Sequence, residues 1–353
     1  MSPATPFDPA VLGFPVELGQ VTRQLKKLWE TEGEAKTRAS LVNLAVYVQG
    51  TDTLEENTHL LAQCVRNHAC RAILVGDSPS SPGPKISAWI QAHCHLNKAG
   101  AKQICSEQIT LLAEGVSEEG VANALMSNLD YDLPLLLWWR APLPESTASP
   151  LWTWVDRLIF DSATWDNPLE QLGRLRQLKA LSDTRMALSD LNWTRSLAIR
   201  QAIAQCFDAP DFLAEIPNLD RIEIAHGHGA RLTAILVAAW FAAQIGWTLE
   251  HRSGDTLIFR ASSGCKITCV LAPTSSEIPI PSLRVASPNA SLQLEREAGS
   301  ALLHALLRSP QGTREAHYSA GAQSLKDLLG EELNPGIRHK VYQKALQFAE
   351  TLL

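Results

Sequence analysis

The chain has 353 residues, 45% of them hydrophobic and 19% charged, which is enough for two packed cores and too many for one. A net charge of -6, with 31 Lys and Arg scattered along the chain, argues against nucleic acid as a partner. There is no apolar run of about 18 residues to span a membrane, and MSPATPFDPAV lacks the basic and then apolar pattern of a secretory leader, so a soluble, cytoplasmic protein is expected.

Leu18, Val21, Leu25 and Leu28 recur at helical spacing and predict an amphipathic arm over 16–33. SLVNLAVYVQ (40–49) reads as a buried strand, the polar stretch 51–67 as a crossover helix, and RAILVG (71–76) as the strand that closes a βαβ unit. DSPSSPGP (77–84) is a loop by composition. ISAWIQAHC (86–94) alternates, with Ile86, Ala88, Ile90, Ala92 and Cys94 on one face and Trp89, Gln91 and His93 on the other. HLNKAGAK then turns the chain so that 103–115 returns as its antiparallel partner. VSEEGVANALMSNLD predicts a helix, LPLLLWWR a central strand buried on both faces, DRLIFDS another strand, and NPLEQLGRLRQLKALSD a further helix.

Near residue 186 the texture changes. LNWTRSLAIRQAIAQCFD reads as a loop entering a helix, LDRIEIAHG as a strand, and ARLTAILVAAWFAAQIG as an almost wholly buried helix. TLIFRA and CKITCVLAP form a hairpin turned at Ser262, Ser263 and Gly264, and the C-terminal stretch is two helices separated by Asn334, Pro335 and Gly336. The expected fold is α/β throughout. An N-terminal layered domain with a mixed sheet (1–185) is followed by a smaller α/β domain ending in helices (186–353).

Catalytic chemistry finds little support in the sequence. No Walker loop, dinucleotide fingerprint or nucleophile elbow is present, and adjacent acids such as Glu118 and Glu119 or Glu331 and Glu332 suit wet helix faces. His93, Cys94, His95 and Cys105 invite a metal reading, but strand alternation turns Cys94 away from the two histidines, so neither metal nor cofactor is expected. HGHGAR, with His226, His228 and Arg231, follows a strand and opens a helix, the pattern of a weak anion site for a sugar phosphate. The seven cysteines contain no C-x-x-C pair and read first as small buried hydrophobes.

Ten tryptophans against four tyrosines point instead to binding between proteins, where Trp and Arg are over-represented. The candidate contact residues are Trp138, Trp139 and Arg140 in DLPLLLWWRAPLP, and Asp190, Asn192, Trp193 and Arg195 in LSDLNWTR. Any one Trp is nevertheless more often a core residue than a contact one, and Asp190 or Asn192 can equally well cap the helix from Ser196 onward.

Several ordered islands carry a family resemblance: TRASLVNLAVYV, AHCHLNKAGAKQICSEQITL, DLPLLLWWRAPLP, DRLIFDSATW, and LSDLNWTR followed by RQAIAQCFD. Over about Thr37 to Asp208 the chain resembles the glucose-6-phosphate dehydrogenase assembly proteins, or OpcA family, of cyanobacteria and actinobacteria; it departs at His68-Ala69-Cys70-Arg71, where the family tends to read His-Pro-Ser-Arg. The resemblance implies a non-catalytic partner that binds glucose-6-phosphate dehydrogenase, favours its active oligomer and raises its activity. It also implies thioredoxin-linked redox control. For that role Cys265 and Cys269 are the first candidates and Cys64 and Cys70 the second, although an extended strand holds Cys265 and Cys269 too far apart for a bridge unless it bends. The alternative is an enzyme or metabolite sensor that binds a sugar phosphate through HGHGAR.

Overall fold

A computed structural model of the chain describes residues 8–30, 36–38, 40–66, 68–96, 103–181, 186–322, 324–334 and 340–353. The chain folds as two compact units. The first holds Met1–Phe160, Glu170–Ser189 and Glu332–Gly336; the second holds Asp161–Leu169, Asp190–Glu331 and Ile337–Leu353. The division expected at residue 186 lies near one crossing of the chain, but two short segments, 161–169 and 332–336, are exchanged between the halves.

The first unit is built from β1 (Phe14–Val16), α1 (Val21–Glu30), β2 (Lys36–Arg38), β3 (Val42–Gln49), α2 (Leu54–Cys64), β4 (Cys70–Ser78), β5 (Lys85–Leu96), β6 (Gln103–Glu114), α3 (Glu118–Met126), β7 (Leu135–Trp139), β8 (Val155–Phe160), α4 (Pro168–Leu181) and β9 (Ala187–Asp190). Its sheet runs β1-β5-β6-β4-β3-β7-β8-β9, with β2 paired to β6. Strands β6, β4, β3, β7 and β8 are mutually parallel, whereas β1–β5 and β5–β6 are antiparallel, so the sheet is mixed as expected. The central strands β3, β4 and β7 are buried along nearly their whole length, which accounts for the continuous apolar runs VNLAVYV, AILV and LLLWW. Helix α3 starts where Ser117 Oγ accepts from the Gly120 N–H at 3.2 Å and two glutamates occupy its first turn.

One local expectation fails here, and another is not reached. The amphipathic arm is shorter than predicted, because Phe14–Val16 pairs with β5 as a strand before the helix begins at Val21. The tip of the β5–β6 hairpin, 97–102, lies outside the described residues.

The second unit contains α5 (Leu191–Arg195), α6 (Leu197–Phe207), α7 (Pro210–Leu213), β10 (Arg221–His226), α8 (Arg231–Ile245), β11 (Thr248–Ser253), β12 (Thr256–Arg260), β13 (Lys266–Pro273), β14 (Ser282–Ala286), β15 (Ser291–Glu295), β16 (Leu302–Ser309), β17 (Gly312–Ser319), α9 (Leu325–Glu332) and α10 (Lys340–Leu352). Its sheet has the order β11-β12-β13-β10-β14-β15-β16-β17, antiparallel throughout except for the parallel pair β10–β13. One face is apolar, with Ile267, Cys269, Leu271, Leu283, Val285, Leu292, Leu294, Leu303, Ala305 and Leu307 all buried. Helix α8 is apolar all round because it lies between β10 and β13 on one side and α10 on the other; α10 contributes Tyr342, Ala345, Leu346 and Ala349 at helical spacing. LNWTR is the helix α5, not a loop. The Asp190 carboxylate starts it by accepting from the Asn192 N–H at 2.9 Å.

Candidate functional site

The WWR island closes β7 at the carboxyl end of the first sheet. Parallel register sets Trp139 beside Tyr47, and the rings stack at 3.8 Å with 6° between planes. Tyr47 Oη donates to Asp77 Oδ2 at 2.6 Å from the neighbouring strand β4. Trp152 meets the other side of Trp139 at 5.1 Å, and Trp139 Nε1 donates to the Pro142 carbonyl at 3.0 Å. These side chains, with Glu118, Leu137, Leu143, Leu151 and Arg174, line a cavity of about 390 Å³. Burial holds the Tyr47 phenol well above its usual pKa, and the facing Asp77 and Glu118 carboxylates add to the shift. Burial also raises Asp77, against the stabilising Tyr47 hydroxyl.

This arrangement corrects the expectation that Trp138 and Trp139 meet a partner, since both are buried. Arg140 is half-buried and tied down: its guanidinium lies 4.7 Å from the Trp138 ring centre and donates to Asn57 and Glu56 of α2.

The second unit gathers DSATW and LSDLNWTR into one polar knot. Asp190 is completely enclosed; Oδ1 accepts from the Ser162 and Asn192 N–H groups at 3.0 and 2.9 Å, and Oδ2 from Ser162 Oγ at 2.7 Å and Tyr342 Oη at 3.1 Å. Burial, joined by the charge of Asp161, outweighs these donors and pushes the carboxyl up to about 6. Asn192 Nδ2 donates to Ser162 Oγ at 3.0 Å while its Oδ1 accepts from Thr233. Arg195 forks onto Asp161, with both N···O distances 2.6 Å, and Arg200 lies 3.4 Å over the Trp193 ring. Asp190, Asn192 and Trp193 therefore form a core, not a contact surface; Trp193 is only 3% exposed. Arg195 alone of this set reaches solvent in part.

HGHGAR occupies the predicted place between β10 and α8 but not as an open cradle. The Gly227 and His228 N–H groups donate to the carbonyls of Pro279 and Ser276, and an added Cβ at Gly227 would stand 2.4 Å from the carbonyls of Ser276 and Ile278. His226 is buried with Nδ1 3.1 Å from the Gly227 carbonyl, His228 is exposed, and Arg231 pairs with Asp255 at 2.9 Å. Those two amides and that cation are already engaged, so nothing here favours the sugar-phosphate reading.

Four of the described cysteines are small buried residues, as the sequence reading has them first, while Cys94 departs from it. Cys64, Cys70, Cys206, Cys265 and Cys269 are free thiols, and all but Cys265 are buried. Burial pushes the Cys70 and Cys269 thiols up to about 12. Neither Cys265 with Cys269 nor Cys64 with Cys70 is bridged; Cys269 points into the core from β13, while Cys265 precedes that strand. Cys94 is disulfide-bonded, and its register partner across the β5–β6 pair is Cys105; the antiparallel return of 103–115 carries the signal for that juxtaposition. His93 Nε2 lies 2.9 Å from Gln108 Oε1, and the side chains of His95 and Cys105 lie outside the described residues. Among the described residues, no group of three or more His, Cys, Asp or Glu is placed to hold a metal ion, and no helix is long and apolar enough to cross a membrane.

Sequence reasoning missed one surface feature. Tyr131 and Trp154 are 70% and 51% exposed and meet edge to face at 6.5 Å, just before β7 and β8. Trp154 is the only one of the ten tryptophans among the exposed large hydrophobics of the described residues.

Two family models match the chain. Residues 62–177 match the glucose-6-phosphate dehydrogenase subunit N-terminal domain and 186–346 the C-terminal domain, both of the OpcA family. Among curated proteins, the OxPP cycle protein OpcA of Nostoc punctiforme is 29% identical over 181 residues, which is 50% of this chain and 38% of that protein. The OpcA of Synechocystis sp. is 29% identical over 167 residues, 46% of this chain and 34% of that protein. This chain thus matches well under half the length of either relative. Solved structures with similar backbones include a Gal80p super-repressor mutant from Saccharomyces cerevisiae (TM-score 0.49, 11% identity, 88% of this chain and 94% of that one). Another is KijD10, a 3-ketoreductase from Actinomadura kijaniata (TM-score 0.48, 11% identity, 87% and 95%). Likeness at that level bears on neither activity nor cofactor.

Proposed function

We propose, for a chain that belongs to the OpcA family of glucose-6-phosphate dehydrogenase assembly proteins, a role without chemistry of its own: it binds glucose-6-phosphate dehydrogenase and favours that enzyme's active oligomer. The observation that carries this reading is the ordered match of both family domains, 62–177 and 186–346, across the two units. A binding protein that prefers one state of an enzyme shifts its equilibrium by the difference in affinity, so activation needs no catalytic group.

The contact surface in this reading includes the exposed Tyr131–Trp154 pair of the first unit. Exposed aromatics of this size are the side chains that most often anchor one protein on another. Thioredoxin-linked control belongs to the same proposal, and among the five free cysteines Cys265 is the one that solvent reaches.

The test is size-exclusion chromatography of a micromolar mixture with the dehydrogenase, paired with its kinetics at limiting substrate. Co-migration with raised activity is expected. Two separate peaks and unchanged kinetics overturn the proposal, as does NADP reduction by the purified chain alone.

A further inference from the structure

Three large apolar side chains stand in solvent at the amino end of the first sheet. Leu41, Tyr131 and Trp154 are 67%, 70% and 51% exposed. Parallel register aligns Asn43 of β3 with Leu135 of β7, and Leu135 with Val155 of β8, so the three residues lie shortly before the starts of three adjacent strands. Neighbouring strands are about 4.8 Å apart, which brings these chain entries within roughly 10 Å of one another across the sheet. The Tyr131 and Trp154 rings already meet edge to face at 6.5 Å.

The backbone beneath them is fixed. Asn43, fully buried, donates from Nδ2 to the Asp130 and Leu133 carbonyls at 2.8 and 3.0 Å and accepts from the Asp130 N–H at 2.9 Å, clamping the turn that presents Tyr131. Trp154 ends a 3-10 turn over Pro150–Thr153, its N–H donating to the Leu151 carbonyl at 3.0 Å. Asp156 Oδ2 accepts from the Leu135 N–H at 2.8 Å and so ties the start of β8 to the start of β7. A partner that covers Tyr131 and Trp154 therefore gains their burial at little cost in ordering.

Charge selects the partner. The segments 40–44, 128–136 and 150–156 carry three aspartates, Asp130, Asp132 and Asp156, and no Lys or Arg. Asp132 follows Tyr131 directly and Asp156 lies two residues after Trp154; both are exposed. An acidic rim repels phosphate groups, which makes nucleic acid or an anionic membrane a poor occupant. An arginine suits it on two counts, since its guanidinium plane stacks on Trp and Tyr faces and its N–H groups are taken by carboxylates beside the rings. Resting on the assembly reading for the partner being a protein, we propose that this end of the first sheet docks a cationic, arginine-bearing segment, which on that reading the dehydrogenase supplies.

The first arm of the test needs no dehydrogenase. The full chain is titrated calorimetrically with hexa-arginine amide, with hexalysine amide and hexaglutamate as controls. Hexa-arginine should saturate by about 1 mM and bind more tightly than hexalysine, and hexaglutamate should not bind. Asp132→Lys and Trp154→Ala should each weaken hexa-arginine by about tenfold or more and keep the wild-type circular dichroism, because both side chains are exposed. Failure of hexa-arginine to saturate, unchanged affinity in both variants, or binding of hexaglutamate overturns the assignment. So does a dimer of the chain alone that Trp154→Ala disperses in sedimentation, which gives the surface to a second copy. The second arm measures both variants against immobilised dehydrogenase, where affinity should fall by about tenfold or more. A complex of unchanged affinity in both overturns the assignment and leaves the assembly role standing. Absence of any wild-type complex overturns the assembly role, and the first arm then decides the surface by itself.

Discussion

Tyr342 Oη donates to Asp190 Oδ2 at 3.1 Å across 152 residues of sequence, joining the last helix of the second unit to the residue that starts α5. The link has a cost as well as a benefit, because burial of Asp190 outweighs the hydrogen bonds it accepts and its pKa stands at about 6.

Asp190→Asn should therefore stabilise the protein above neutrality. A carboxyl whose folded pKa exceeds its unfolded value contributes most below the unfolded pKa, near 3.8, and that contribution is lost as pH rises through about 6. Asparagine keeps Oδ1 as acceptor for the Ser162 and Asn192 N–H groups and offers its amide to Ser162 Oγ and Tyr342 Oη, both able to accept. Denaturant unfolding from pH 4 to pH 8 should show the variant more stable by roughly 1 to 3 kcal/mol at the upper end, the gap closing towards the lower.

Trp193→Ala should behave as a core truncation. The ring packs against Tyr342 at 5.4 Å and under the Arg200 guanidinium, so its removal costs about 3 to 5 kcal/mol and leaves a buried cation without its aromatic partner. The melting temperature and the activation of the dehydrogenase should fall together. Lost activation at wild-type stability would return Trp193 to the contact surface.

Trp154→Ala and Tyr131→Ala should do the opposite. Both side chains are largely in solvent, so stability should change by no more than about 0.5 kcal/mol. Dissociation of the dehydrogenase complex should accelerate by about tenfold or more if the pair anchors the interface. Surface plasmon resonance with immobilised dehydrogenase reads this directly.

Thiol labelling of the native protein at pH 8 should modify Cys265 and spare the other four free cysteines. Cys64, Cys70, Cys206 and Cys269 are buried, and Cys70 and Cys269 are held near pKa 12, so thiolate is scarce where the reagent cannot reach. Mass spectrometry after brief alkylation checks the pattern, and Cys265→Ser should abolish the fast reaction.

The central strands β3, β4 and β7 were legible because burial on both faces writes itself as an unbroken apolar run. Strands β14 to β17 were not: SLRVA and SLQLE show only two inward residues each, Leu283 with Val285 and Leu292 with Leu294, too few to separate alternation from chance. Tryptophan counts are ambiguous for a related reason. A residue that is both a core former and an interface anchor gives one signal for two fates, and Trp138 and Trp193 took the first while Trp154 stands exposed. Pairings such as Asp161 with Arg195 depend on segments that only the tertiary fold brings together.

The segment 161–169 is translated among residues of the first unit yet belongs to the second. A fragment cut at residue 186 would lack Asp161 and Ser162, stripping Arg195 of its counter-ion and Asp190 of two of its donors. Separate expression of the halves should thus yield a soluble C-terminal piece only when its start is moved back to include residue 161. During synthesis the polar knot around Asp190 must wait for α10, 152 residues further along the chain, before Tyr342 can close it.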